Sequence, residues 1–275
     1  MIFTINVCVC GLDPVIQYRR YGSTKIGLKM INKLKFITAT AVLSFLSACG
    51  GGGGGGGSVS STPSIDAQGF WAGPASTGYT VSTAILENGE TWGIYSSGST
   101  IYGALYGTAA VNGNSISIQG TDFNFLTNSS TAGNLTGTVV SKSSMSLTGN
   151  NVSLPAKYQT AYDTPATAAA ITGTWTFTGR SGSYSLIPGS ITIDSAGRFV
   201  LNQTNCVTSG SVVPRSNGKN IYNLTLSGSG VGCAAGQTTM SGIVYLDATV
   251  TPNKFLSLAL TPNKNDGVIV IGTKS

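Results

Sequence analysis

Charged residues make up only 9% of this chain, against roughly a quarter in an ordinary soluble domain. That scarcity constrains the fold more than any other feature. A surface helix carries Glu, Lys and Arg on its outer face; here the polar residues are 34 serines and 34 threonines, beside 38 glycines in 275 residues. Strands with Ser and Thr on one face, joined by glycine turns, suit such a composition. The chain also lacks histidine. That removes the commonest general base, the Ser-His-Asp triad and every histidine-containing metal site.

Residues 30–48 have the layout of an export signal. Lys33 and Lys35 form a basic start, and Phe36 to Leu46 an apolar run too short to span a bilayer. The run ends in Leu46-Ser47-Ala48-Cys49, which resembles the lipobox of bacterial lipoproteins. The resemblance implies a diacylglyceryl group on the Cys49 thiol, with Cys49 the first residue of the mature protein. Cleavage at Ala48 to give a soluble secreted protein, or an uncleaved core helix, are the other readings. Residues 1–29, with Asp13-Pro14, Arg19, Arg20, Cys8 and Cys10, read as an over-extended start, Met30 being the initiator. The alternative is a long basic region ahead of the signal. Cys8 and Cys10 have no further ligand set beside them.

Six of the 15 basic residues and one of the nine acidic residues precede Cys49, which leaves nine and eight, a net charge of +1. No run of Lys or Arg remains, so a nucleic-acid partner is not expected. Residues 49–68 read as a tether: Gly50 to Gly57 followed by a Ser-rich stretch, with a reach of roughly 20–25 Å. A phosphate-binding loop would need a preceding strand and a following Lys-Ser/Thr, and both are missing. Gly50, rather than Asp, follows the cysteine; by the sorting rule of enteric lipoproteins this implies the outer membrane.

Beyond the tether the pattern is one of strands and hairpins. Asn88-Gly89, Asn112-Gly113 and Asn217-Gly218 punctuate apolar runs and suit tight primed turns. Thr-Pro-Asn-Lys occurs at 251–254 and 261–264 and brackets one short strand. Period-two alternation, as in Phe255 to Leu260, places one apolar face inward and one Ser/Thr face outward. Thr164-Pro165 followed by alanines predicts a short helix capped by Thr164. The expected architecture is all-β: two small antiparallel meander barrels or sandwiches of about eight strands each, at 69–155 and 171–275, joined by a linker at 156–170 with a short helix. The strand candidates are shorter than the roughly 9–11 residues of a membrane-spanning barrel and lack its lipid-facing band.

Gly69-Phe70-Trp71 opens the first module and Gly173-Thr174-Trp175 the second. Both resemble the start of lipocalin and avidin-like barrels, where the tryptophan plugs one barrel end. The lipobox, glycine leash and β modules together look like Gram-negative surface lipoproteins, of the broad type that includes transferrin-binding and factor-H-binding lipoproteins. Segments 88–93, 162–166 and 173–175 are similar to uncharacterised proteobacterial lipoproteins. None of these resemblances carries an activity across.

Cys206 and Cys233 remain as an even pair in an exported chain, which makes a disulfide the expectation. No Cys-x-x-Cys or further ligand supports a redox or metal site, and no cofactor is expected. The acids after Cys49 are Asp66, Glu87, Glu90, Asp122, Asp163, Asp194, Asp247 and Asp266. Glycan hydrolysis runs on two carboxylates, but turn chemistry accounts for most of these. Ser181-Gly182-Ser183 lacks the strand–turn–helix context of a nucleophile elbow. Trp71, Trp92, Trp175, Tyr95, Tyr102 and Tyr106 are core-filling candidates, or the lining of a ligand cavity. The Asn128-Ser129-Ser130 and Asn134-Leu135-Thr136 triplets match glycosylation acceptors by chance composition.

The expected protein is therefore a non-enzymatic lipoprotein, anchored to the outer membrane through Cys49, with a binding or structural role. A protein or glycan at the cell surface is the expected partner. A carrier of a small apolar ligand in one barrel, or less readily a glycan-acting enzyme, are the alternatives. Cys49→Ser is expected to abolish metabolic labelling with palmitate; labelling that persists in the variant contradicts the anchor.

Overall fold

The structure, a computed structural model, describes residues 65–275 except 99, 150, 183, 186, 187, 234 and 235, and the backbone alone at 184–185. The export signal, Cys8, Cys10, Cys49, the glycine run and Ser183 lie outside the described residues. Ile65 to Gln68, read from the sequence as the end of the tether, belong to the base of the first barrel. The Ile65 amide donates to the Gly113 carbonyl at 3.0 Å, and Ala67 is buried.

Eight antiparallel strands close the first barrel in simple sequence order. They are β1 (Gly69–Pro74), β2 (Thr80–Ile85), β3 (Glu90–Ser97), β4 (Thr100–Asn112), β5 (Ser115–Asn124), β6 (Ser129–Val140), β7 (Ser144–Gly149) and β8 (Val152–Tyr158). β8 returns to β1 through Trp71 opposite Tyr158, so no strand edge is exposed. β4 and β6 run to 13 and 12 residues, longer than the short strands expected. Their length is no sign of membrane spanning, because β6 turns Asn134, Thr136 and Thr138 outward to solvent, where a lipid-facing band would be apolar.

A 3-10 turn (Thr160–Asp163) and a four-residue helix α1 (Ala168–Ile171) lead to the second barrel. The helix is capped by Thr167, whose side chain accepts from the Ala170 amide at 3.2 Å. The predicted cap, Thr164, is extended, and the Ala166 amide is engaged by the Lys219 carbonyl. The second barrel comprises β9 (Gly173–Ser181), β10 (Tyr184–Ser185), β11 (Gly189–Ile193), β12 (Arg198–Gln203), β13 (Cys206–Pro214), β14 (Ile221–Ser229), β15 (Thr239–Asp247), β16 (Lys254–Leu260) and β17 (Gly267–Lys274). β9 pairs with β17 on one side and β11 on the other, and the remaining strands run as a meander to β12. β11 and β12 are joined by a turn but share no described ladder, so this barrel is nearly closed, with one seam.

The Asn-Gly pairs lie at hairpin turns, but not of the expected type. Gly89 has φ +81°, whereas Asn88 is not left-handed; a primed type I turn needs both. The Gly89 amide bonds to the Leu86 carbonyl and the Leu86 amide to Glu90, a tight turn followed by one left-handed glycine. The same pattern recurs at Asp194 to Arg198 with Gly197. The Thr-Pro-Asn-Lys copies bracket β16 as expected.

Each barrel core is built on its opening tryptophan. The Trp71 indole donates to the Ala67 carbonyl (3.0 Å) and the Trp175 indole to Ile171 (2.8 Å), each four residues back. Both rings are fully buried and meet an aromatic edge-on, Tyr158 and Phe255 respectively. An indole placed this way fills the barrel end with its N–H satisfied.

The alternation rule fails where the barrels meet. On β16, Phe255 and Ser257 face the second barrel's interior, while Leu258 and Leu260 are buried outside it with Phe70, Ala84, Trp92 and Ile94 of the first barrel. Phe70 stacks on Tyr245 with centroids 3.7 Å apart. Strands buried on both faces lose the apolar-in, polar-out pattern. At the rim, Arg215 donates twice to Glu87 (2.8 and 2.6 Å) and Asn217 once (2.9 Å), joining the turns of the two barrels. Lys142 and Lys219 both bind Asp163 of the linker. Burial opposes ionisation at Glu87 and Asp163, but the cationic and amide donors prevail and hold both carboxyls below their ordinary values.

Leu258→Ala is expected to cost about 2–5 kcal/mol and to loosen both barrels together in hydrogen exchange under mild denaturant. Loosening confined to the second barrel contradicts a shared core.

Candidate functional site

The two barrels share a plan: a tryptophan-plugged end and a hollow opposite end. In the second, Ile171, Ile193 and Phe255 bound the plugged end, and above them lies a cavity of about 150 Å³. Its wall is almost wholly apolar, with Phe199, Met240, Val244 and Val268 contributed by three different strands. Period two explains why: Val212, Leu224 and Val244 point inward, whereas their neighbours point out. Among the described residues, Ser181, Gln203, Thr208 and Ser257 are the polar side chains of the lining, and no carboxylate takes part.

The Cys206–Cys233 disulfide forms as expected and sits in the same wall. Spanning 27 residues, it is worth about 3–4 kcal/mol on the chain-entropy model. It ties β13 to the β14–β15 connection at the open end of the barrel.

The first barrel's hollow is larger, about 250 Å³, and chemically different. One side is stripped of side chains by a ladder of glycines: Gly107 lies opposite Gly120 and Gly120 opposite Gly133, across β4, β5 and β6. A Cβ at Gly107 or Gly120 would come within 2.2 Å of the facing strand's carbonyl, so neither position admits a larger residue. Ile118, Leu135, Leu147 and Leu154 line the rest. Tyr95 crosses above Gly103, where a side chain would meet its hydroxyl, and donates to Asp122 Oδ1 at 3.0 Å. Tyr79 packs against Tyr95 and stacks on Tyr102, with centroids 5.6 and 4.8 Å away.

Asp122 is the one carboxylate of this lining among the described residues. Burial raises its carboxyl above the ordinary value, only partly offset by the Tyr95 hydroxyl. Burial and the Asp122 charge raise the Tyr95 phenol in turn. Among the described residues no lysine or arginine forms an ion pair with Asp122.

Of the other acids, Glu87 and Asp163 hold the long-range contacts described above, and the rest are used nearer by. Asp194 accepts from the Ala196 and Arg198 amides, Asp247 from Thr249, Asp66 from Gln68 and Asp266 from Gly267. Glu90 accepts from the Tyr106 hydroxyl. Of the weighed aromatics, Trp71 and Trp175 fill barrel ends. Trp92 faces the other barrel beneath the Lys264 ammonium. Tyr95 lines the first cavity, whereas the Tyr106 ring lies edge-on to Trp92 under the same Lys264 ammonium. The glycine ladder and Tyr79 escaped the sequence reading. Their signal was present in the spacing, because Gly107, Gly120 and Gly133 are 13 residues apart, one hairpin step each.

No family model matches the sequence, and no curated protein matches it. Among solved structures, a protein of unknown function from the DUF3598 family of Nostoc punctiforme matches at 9% identity and a TM-score of 0.24. The match covers 76% of this chain and 94% of that one. A likeness at that TM-score carries no argument.

Proposed function

We propose that this chain is a lipid-anchored protein of the Gram-negative envelope, without enzymatic activity, whose second barrel holds a small apolar ligand. The observation that carries this reading is the apolar cavity of about 150 Å³ inside that barrel. An apolar cavity of this size stays dry and accepts a guest about as large as benzene. The driving force is removal of the guest's surface from water, about 25 cal/mol per Å², with no polar group needed for orientation. Ile191 and Leu201 of the lining flank the seam between β11 and β12. Cys49 and the glycine tether hold the barrels near the membrane, where apolar compounds concentrate.

A second reading, contact with a glycan or protein at the cell surface, draws on a polar groove of about 500 Å³ that both barrels line. Asn124, Asn128, Ser130 and Asn265 contribute amides and hydroxyls there beside Phe125.

Benzene at ten times its dissociation constant is expected to stabilise the protein by about 1.4 kcal/mol, a rise in Tm of roughly 3–5 °C. Val244→Phe, which places an aromatic ring in the cavity, should abolish the rise while the variant stays folded. No rise in the parent protein, or an equal rise in the variant, contradicts the reading.

A further inference from the structure

The first barrel's cavity calls for a different ligand from the second. We propose that it is a separate binding site for a small organic ammonium ion with an apolar body, the ammonium held at Asp122 and the body against the glycine ladder and its leucines. Three observations converge on that chemistry. The lining is apolar over most of its extent, with Ile118, Leu135, Leu147 and Leu154 at side-chain positions and Gly107, Gly120 and Gly133 leaving room between them. A hydrocarbon or aromatic body fits there.

At the open end stands one half-buried carboxylate, Asp122, whose single protein partner among the described residues is the Tyr95 hydroxyl, 3.0 Å from Oδ1. A neutral apolar guest would strip water from that charge with nothing in return. An ammonium N–H supplies the missing charge-assisted hydrogen bond to Oδ2.

The carboxylate also lies in an aromatic setting. Tyr79 and Tyr95 line the cavity and Tyr102 backs Tyr79; such ring faces favour organic cations. An inorganic cation is the weaker fit. Calcium takes six to eight oxygen ligands, and the described residues hold no group of three metal-ligating side chains. An anion is repelled by Asp122. The inference is independent of the second barrel's ligand.

The test is isothermal titration of the full chain with phenethylammonium chloride and with 2-phenylethanol, which is nearly the same shape without the charge. The ammonium compound is expected to bind at least tenfold more tightly than the alcohol. Asp122→Asn should weaken the ammonium compound ten- to hundredfold and leave the alcohol unchanged. Val244→Phe, which blocks the other barrel, should leave the ammonium compound unchanged and is the background in which the two compounds are compared. Equal binding of the two compounds, no binding of either, or unaltered affinity in Asp122→Asn overturns the proposal. Loss of ammonium binding in Val244→Phe does the same, because it places the guest in the second barrel. Should Asp122→Asn fail to fold, the comparison of the two compounds in Val244→Phe decides alone.

Discussion

The apolar contact between the outer walls of the two barrels is the constraint on which the rest of the structure depends. Leu258, Leu260 and Tyr245 on one side meet Phe70, Trp92 and Ile94 on the other. Large apolar residues committed to this contact are not available to fill the interiors. Two small barrels of separate chains would turn these side chains to water; packed together they bury them, and the Glu87–Arg215–Asn217 cluster fixes the angle at one rim. Burial between the barrels adds to the burial inside each, and each interior is packed at its tryptophan end and hollow at the other. A barrel of eight strands encloses just enough space for side chains or one small ligand, and glycine and small residues along the inner face decide for the ligand.

Much of this architecture is legible in the sequence because it rests on local rules. Low charge and Ser/Thr alternation indicate strands on composition alone. The Gly-x-Trp openings mark where each barrel begins, and the even pair Cys206 and Cys233, read with the export signal expected at 30–48, indicates the disulfide. What escapes is set by contacts distant in sequence. Phe255 to Leu260 alternates in a way that reads as one wet face and one dry face, yet Ser257 points into the barrel and the leucines point out. Only the presence of a second barrel makes that arrangement favourable. The Asn-Gly turns show a smaller failure of the same kind: the residue pair fixes where the chain reverses, and the strand twist fixes the turn type.

The candidate sites were less legible than the fold. Asp122 looks like any acid near a turn until the ladder of β4, β5 and β6 places it beside Tyr95 at the mouth of a glycine-walled hollow. Gly107, Gly120 and Gly133 lie in strands rather than turns, and their register becomes meaningful only once the strands are paired. By contrast, the aromatic residues divide according to which face of their strand they occupy, with Trp71 and Trp175 inward and Trp92 toward the neighbouring barrel. Two interiors of the same design therefore differ in chemistry: one is nearly free of polar groups and the other carries a single carboxylate.

The proposed ligand role requires a second barrel hollow and apolar enough to hold a guest. Crystals of the protein pressurised with xenon test it directly, since xenon enters dry apolar cavities and scatters strongly. Xenon density is expected between Phe199, Met240 and Val244. An interior filled by side chains, or by ordered water that excludes xenon, would contradict it.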